Sequence, residues 1–226
     1  AVREALAPLF ASPAVPSAHR ILVTGHAHID SAWLWPSRET VRKVVRTFAN
    51  VMQLMDEDPQ ITFSCSSAQH FAWVKDSDPE LYARVRQRVD EGRFIPVGNM
   101  WVESDVNMPS GESLARQLLY GTRFFLEEFG RRSEVGWLPD SFGYPASLPQ
   151  LLRKAGLRWF FTQKMCWNDT NTMPHHTFAW EGMDGSRILT HFPPNNTYSG
   201  DMRPVELARS VRNFADHGGA SISLMP

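Results

Sequence analysis

Only two cysteines, Cys65 and Cys166, occur in the 226 residues, and they sit in unrelated surroundings. No disulfide framework is expected, and a reducing cytoplasm is the simplest location. The chain also lacks any apolar run near the ~18 residues that a membrane-spanning helix needs. Its first residues lack the basic-then-apolar pattern of a secretory leader. Neither sign of charge is in excess: 23 Lys and Arg face 24 Asp and Glu, for a net charge of −1. Nucleic acid and acidic membrane surfaces both require a concentrated positive face, so neither is an expected partner. No internal repeat is present. The Asn-x-Thr triplets at Asn168 and Asn195 arise by chance too readily to argue for secretion.

What is present suits a globular core: 42% hydrophobic residues, with eight Trp and fourteen Phe. Residues 1–18 read as a Pro/Ala-rich linker (Pro8, Pro13, Pro16). Residues 19–226 then alternate strands and helices. Arg20–Gly25 is an apolar run that suits a buried parallel strand. Ser37 reads as an N-cap before Val41, Val44, Val45, Phe48, Met52 and Met55 at helical spacing. Ile61–Cys65, Phe94–Val97 and Glu134–Leu138 read as strands. Asp78-Pro79-Glu80 opens a helix with a cap, a first-position proline and an acid in the first turn. A helix from Pro109-Ser110 is expected to bury Ala115, Leu118, Leu119, Thr122, Leu126 and Phe129. Pro149–Ala155 and Pro204–Ala215 read as helices, and Arg158–Thr162, Thr177–Trp180, Arg187–His191 and Ser221–Met225 as strands. The pattern predicts an α/β fold with a largely parallel sheet, open or closed into a barrel. A parallel strand ending at Pro226 without its crossover reads as a truncated domain.

Three clusters carry candidate chemistry. Gly25-His26-Ala27-His28-Ile29-Asp30 follows the first strand, where α/β folds place their ligand sites. His28 and Asp30, two residues apart, can aim at one point, and imidazole nitrogen and carboxylate oxygen both suit zinc. The competing possibility is a hydrogen-bonded turn with His26 or His28 satisfied in the core. Trp33 and Trp35 follow, as a sugar site would want and as ordinary core packing would also explain. In Trp137-Leu138-Pro139-Asp140-Ser141-Phe142-Gly143-Tyr144, Asp140 directly follows a strand, as a site carboxylate or as a turn cap. Trp101, Glu103 and Asp105 alternate after the third strand, a pattern that a solvated strand edge also explains. His175-His176 could ligate a metal, although adjacent histidines point in different directions.

Together the His28-x-Asp30 cluster and the run ending at Tyr144 resemble glycoside hydrolase family 38, the retaining α-mannosidases. The segments FSCSSAQHFAWVK, FIPVGNMWVESDVNMPSGESLARQLLYG, FFTQKMCWN and PHHTFAWEGMDGSRILTHFPP resemble its cytosolic and vacuolar branch. The resemblance spans roughly residues 20–226. It implies a largely parallel sheet or seven-stranded β/α barrel, truncated at its C-terminal end, as the incomplete N-terminal part of a catalytic domain. It implies that His28, Asp30 and Asp140 ligate zinc, a donor set that cobalt or manganese could also occupy. Asp140 would be the nucleophile as well. Trp33 would pack against mannose in an α-mannoside oligosaccharide, and Phe142 would line the same pocket. Lys164, where some relatives carry Arg, would lie near Asp140 and favour its ionised form. The acid/base carboxylate and the fourth ligand, a histidine, are expected beyond Pro226, so residues 1–226 alone are expected to be inactive. Homo-oligomerisation of the full-length protein is left open. Two enzyme alternatives are a metal-dependent amidohydrolase, on His26-Ala27-His28, and a polysaccharide deacetylase. A mannose-binding relic without catalysis is the non-enzyme alternative.

Overall fold

The arrangement that positions the site begins with one strand that changes partner. In the computed structural model, which describes residues 2–12 and 18–226, helix α1 (Val2–Phe10) precedes β1 (Arg20–Val23) and β2 (Gly25–His26). The chain continues through α2 (Ser37–Glu57), β3 (Phe63–Cys65), α3 (Ala68–Ser77), α4 (Pro79–Asp90), β4 (Phe94–Pro96) and α5 (Gly111–Phe129). Then come β5 (Val135–Trp137), α6 (Leu148–Lys154), β6 (Trp159–Phe161), β7 (Thr177–Glu181), β8 (Arg187–His191), α7 (Pro204–Asn213) and β9 (Ile222–Met225).

β1 pairs in parallel with β9, whereas β2 pairs in parallel with β3, which continues to β4. The switch falls at Thr24, whose N–H donates to Met225 O (3.2 Å), while the Gly25 N–H donates to Thr62 O (2.9 Å). Glycine suits this close approach: a Cβ on Gly25 would stand 3.0 Å from both Thr62 O and Phe63 Cδ2. β5, β6 and β8 form a parallel run, with β7 antiparallel at its edge. Two joints remain between these groups. At the first, the Gly98 N–H donates to Val135 O (2.9 Å). At the second, Nε2 of His191 accepts from the Leu224 N–H (3.1 Å), a side chain standing in for a ladder. The α/β fold with a largely parallel sheet is therefore as expected, but no continuous backbone ladder closes a barrel among the described residues.

The helices cover this array because their apolar stripes have nowhere else to go. α2, α3 and α4 bury Val44, Phe48, Met52, Phe71, Val74 and Val85 over Phe63 and Phe94. α5 and α6 bury Leu114, Leu118, Leu148 and Leu152 with Phe160 and Ile188. A third cluster, Val97, Trp137 and Phe161, packs with Val135 and Leu224 and so joins β4, β5, β6 and β9.

The predicted cap holds at Asp78, which accepts from the Leu81 N–H (2.9 Å), and the helix expected from Pro109-Ser110 is capped by Ser110, which accepts from the Ser113 N–H (3.2 Å). Three details differ from expectation. Ser37 is the first helical residue and Pro36 its cap, without a side-chain bond. α5 buries Leu114, Leu118, Gly121, Phe125 and Phe129, so its face is rotated and Ala115, Leu119 and Leu126 are exposed. Within the stretch read as a linker, Val2–Phe10 is helical, whereas residues 1 and 13–17 lie outside the described residues.

Candidate metal centre

His28 and Asp30 share a direction because their neighbours take the other one: Ala27 and Ile29 pack against the core beneath α2 and α3. The loop is tied from below. Thr40 Oγ1 donates to Asp30 O (3.3 Å) and accepts from the Trp35 indole (2.9 Å). Asp140 arrives from β5, where Leu138 is buried and its N–H donates to Phe161 O (3.0 Å). Tyr144 OH donates to Leu138 O (2.8 Å), and Ser141 Oγ to Ser104 O (3.1 Å), so the Asp140 turn is held on both sides.

The result is one cluster. A donor atom from each of His28, Asp30 and Asp140 lies within 4.8 Å of the others. His28 Nε2 stands 3.2 Å from Asp30 Oδ1 and 3.3 Å from Asp140 Oδ2. Two donors bonded to one tetrahedral zinc stand ~3.4 Å apart, so the imidazole-to-carboxylate spacings fit a single ion. The other Asp140 oxygen is ion-paired with the Lys164 ammonium. That ammonium lies over the rings of Trp167 (3.9 Å), Phe142 (4.6 Å) and Tyr198 (5.4 Å).

Behind the imidazole sits Glu103. Its Oε2 accepts from His28 Nδ1 (2.8 Å), and Ser66 Oγ donates to its Oε1. Burial alone would push His28 down. The hydrogen bond and charge of Glu103, then the charges of Asp140 and Asp30, outweigh it and raise the imidazole pKa to about 9. Burial likewise opposes ionisation of Glu103, yet His28, His26 and the Ser66 hydroxyl hold its carboxyl below the usual range. The proton so favoured on His28 Nε2 lies between two carboxylates, where a cation would take its place.

The residues expected to meet are therefore brought together in the case of His28, Asp30, Asp140 and Lys164. Phe142 faces the Lys164 ammonium and is 77% exposed. Trp33, 64% exposed, stacks edge-on against Trp35 (5.0 Å). His26 turns away: its Nδ1 bonds Ser64 O (3.0 Å) and its Nε2 accepts from the Trp137 indole (3.5 Å). Burial pushes its pKa down. His175 and His176 are occupied by Asp216 (2.6 Å) and the Ala215 N–H (3.1 Å). Asp105 caps a turn, accepting from the Asn107 and Met108 N–H groups. Glu103 is a correction: it is 9% exposed beneath His28, not on a solvated edge. Trp167 and Tyr198 were not singled out from the sequence, because no local pattern marks them.

A parallel α/β domain with a His/Asp/Asp cluster at its strand ends is the class that fold and site define. Residues 18–226 match the model for the glycosyl hydrolases family 38 N-terminal domain, and the chain belongs to that family. Among relatives, it is 49% identical over 223 residues to alpha-mannosidase 2C1 of Homo sapiens, covering 98% of this chain and 21% of that protein. It is 48% identical over 189 residues to alpha-mannosidase of Saccharomyces cerevisiae, covering 83% of this chain and 18% of that one. The structure is similar to an alpha-mannosidase from Enterococcus faecalis V583, with a TM-score of 0.76 and 21% identity over 92% of this chain and 24% of that one. The chain thus spans about a fifth of the length of the curated relatives it matches.

Proposed function

We propose that the full-length protein is a zinc-dependent retaining α-mannosidase that removes terminal α-mannose from oligosaccharides. The observation that carries this is the convergence of His28, Asp30 and Asp140 on one point, with Lys164 on the second Asp140 oxygen. Family membership and the alpha-mannosidase relatives support it. His28, Asp30 and Asp140 would hold the ion, with a histidine beyond Pro226 as fourth ligand. When bound, zinc supplies positive charge for sugar hydroxyl oxygens and for the Asp140 carboxylate.

The remaining chemistry belongs to side chains. Asp140 attacks the anomeric carbon and forms a mannosyl-aspartate ester as the glycosidic bond breaks. The departing oxygen takes a proton from the acid/base carboxylate expected beyond Pro226. That group then accepts a proton from water, which displaces Asp140 and releases mannose with its configuration retained. Trp33 and Phe142, both exposed, offer apolar faces to the sugar ring. Cys65 and Cys166 are unpaired thiols, which supports a cytoplasmic setting. The amidohydrolase alternative loses its motif, because His26 points away from the cluster.

The test is nitrophenol release from an aryl α-mannoside by the full-length protein, before and after chelation, with Asp140→Asn as control. Release that stops on chelation and in the variant is expected. Turnover of acetylated sugars or amides with no action on α-mannosides would sink the proposal.

A further inference from the structure

We propose that Glu103 is the positioning residue of the metal centre: clamped by Ser66, its carboxylate holds the His28 imidazole with Nδ1–H turned inward and Nε2 presented as a ligand. This rests on the zinc-site proposal above. An acidic side chain 9% exposed needs a partner for each oxygen, and Glu103 has them: Ser66 Oγ on Oε1 and His28 Nδ1 on Oε2. Both oxygens thus face protein partners beneath His28, which suits a positioning role.

The backbone around Glu103 is fixed as well. The Glu103 N–H donates to Ser67 Oγ (2.9 Å), and Ser67 itself lies in the left-handed region (φ 68°), which a residue with a Cβ rarely adopts. The Tyr198 ring also contacts the His28 ring in a T-shaped arrangement, with centroids 5.4 Å apart. A hydrogen bond and a ring contact thus both bear on the imidazole. A carboxylate only accepts, so Nδ1 must donate to it. When a metal displaces the proton from Nε2, the lone pair falls on that nitrogen, the atom 3.2 and 3.3 Å from the Asp30 and Asp140 oxygens.

The experiment uses the full-length protein, stripped by chelation and reloaded with Zn²⁺ against a chromophoric competitor. Wild type is compared with Glu103→Gln, which keeps the size and removes the charge, and with Ser66→Ala. Roughly 10- to 100-fold weaker zinc affinity is expected for Glu103→Gln and a smaller loss for Ser66→Ala. The Co²⁺-loaded protein should show a displaced ligand-field spectrum in Glu103→Gln, while KM at saturating zinc stays near that of wild type. A wild type that binds no zinc overturns the metal-site proposal itself. A wild type that binds zinc, beside a folded Glu103→Gln of equal affinity and unchanged cobalt spectrum, overturns this inference alone. Should Glu103→Gln fail to fold, Ser66→Ala decides, with unchanged affinity counting against the clamp.

Discussion

The two oxygens of Asp140 face different neighbours, His28 on one side and the Lys164 ammonium on the other. In the proposed mechanism, a carboxylate so divided serves as ligand and nucleophile without changing rotamer. Asp140→Asn keeps the shape and loses the charge, so kcat should fall by about 10³-fold or more in the full-length protein, measured on an aryl α-mannoside. Lys164→Met keeps the stem among Phe142, Trp167 and Tyr198 but deletes the cation. The expected cost is roughly 10- to 100-fold in kcat/KM, the size of one charged hydrogen bond, with Lys164→Arg losing less. Three of the cluster's side chains were legible because each follows a strand within a dense local motif. Glu103 also follows a strand and stood out only as one of an alternating set; its role was not legible, because its partner His28 lies 75 residues away. An acid two residues from a tryptophan looks the same in sequence whether it faces water or an imidazole.

Among the elements, α5 shows how backbone proximity overrides an apolar pattern. Leu119 and Leu126 invited a stripe through them, yet the helix turns Gly121 inward. A Cβ there would lie 2.5 Å from Asn99 O and from the Met100 carbonyl carbon, so only glycine lets the helix seat on that turn. The turn leads into Trp101–Glu103. Gly121→Ala should therefore destabilise the protein by roughly 2–3 kcal/mol, read from its urea midpoint, and weaken zinc binding in parallel. Strand positions were readable to within a residue or two from short apolar runs. α3 was not, because its first N–H groups are capped from a distance: Ala68 donates to Met100 O and Gln69 to Trp101 O. No local cap announces such a helix.

At the scale of the molecule, two histidines make the fold acid-sensitive. Burial pushes His70 and His191 down to about 4, whereas in the unfolded chain both titrate near 6.5. Between those values the unfolded state binds more protons, so stability falls as pH drops from 6.5 towards 4. The urea midpoint should follow that slope, and a His70→Gln/His191→Gln double variant should flatten it. His191 matters structurally too, since its neutral Nε2 accepts the bond that joins β8 to β9. β9 in turn pairs with β1, strand to strand, from Arg20↔Ile222 to Val23↔Met225. Roughly 200 residues separate those partners, and at ~5–20 residues per second a ribosome needs about 10–40 s to make them. Through that interval the backbone edge of β1 has no β9 to pair with. Protection of β1 from protease in a stalled nascent chain is therefore expected only once β9 has left the ribosome, and protection in a chain stalled before Ile222 would count against this order.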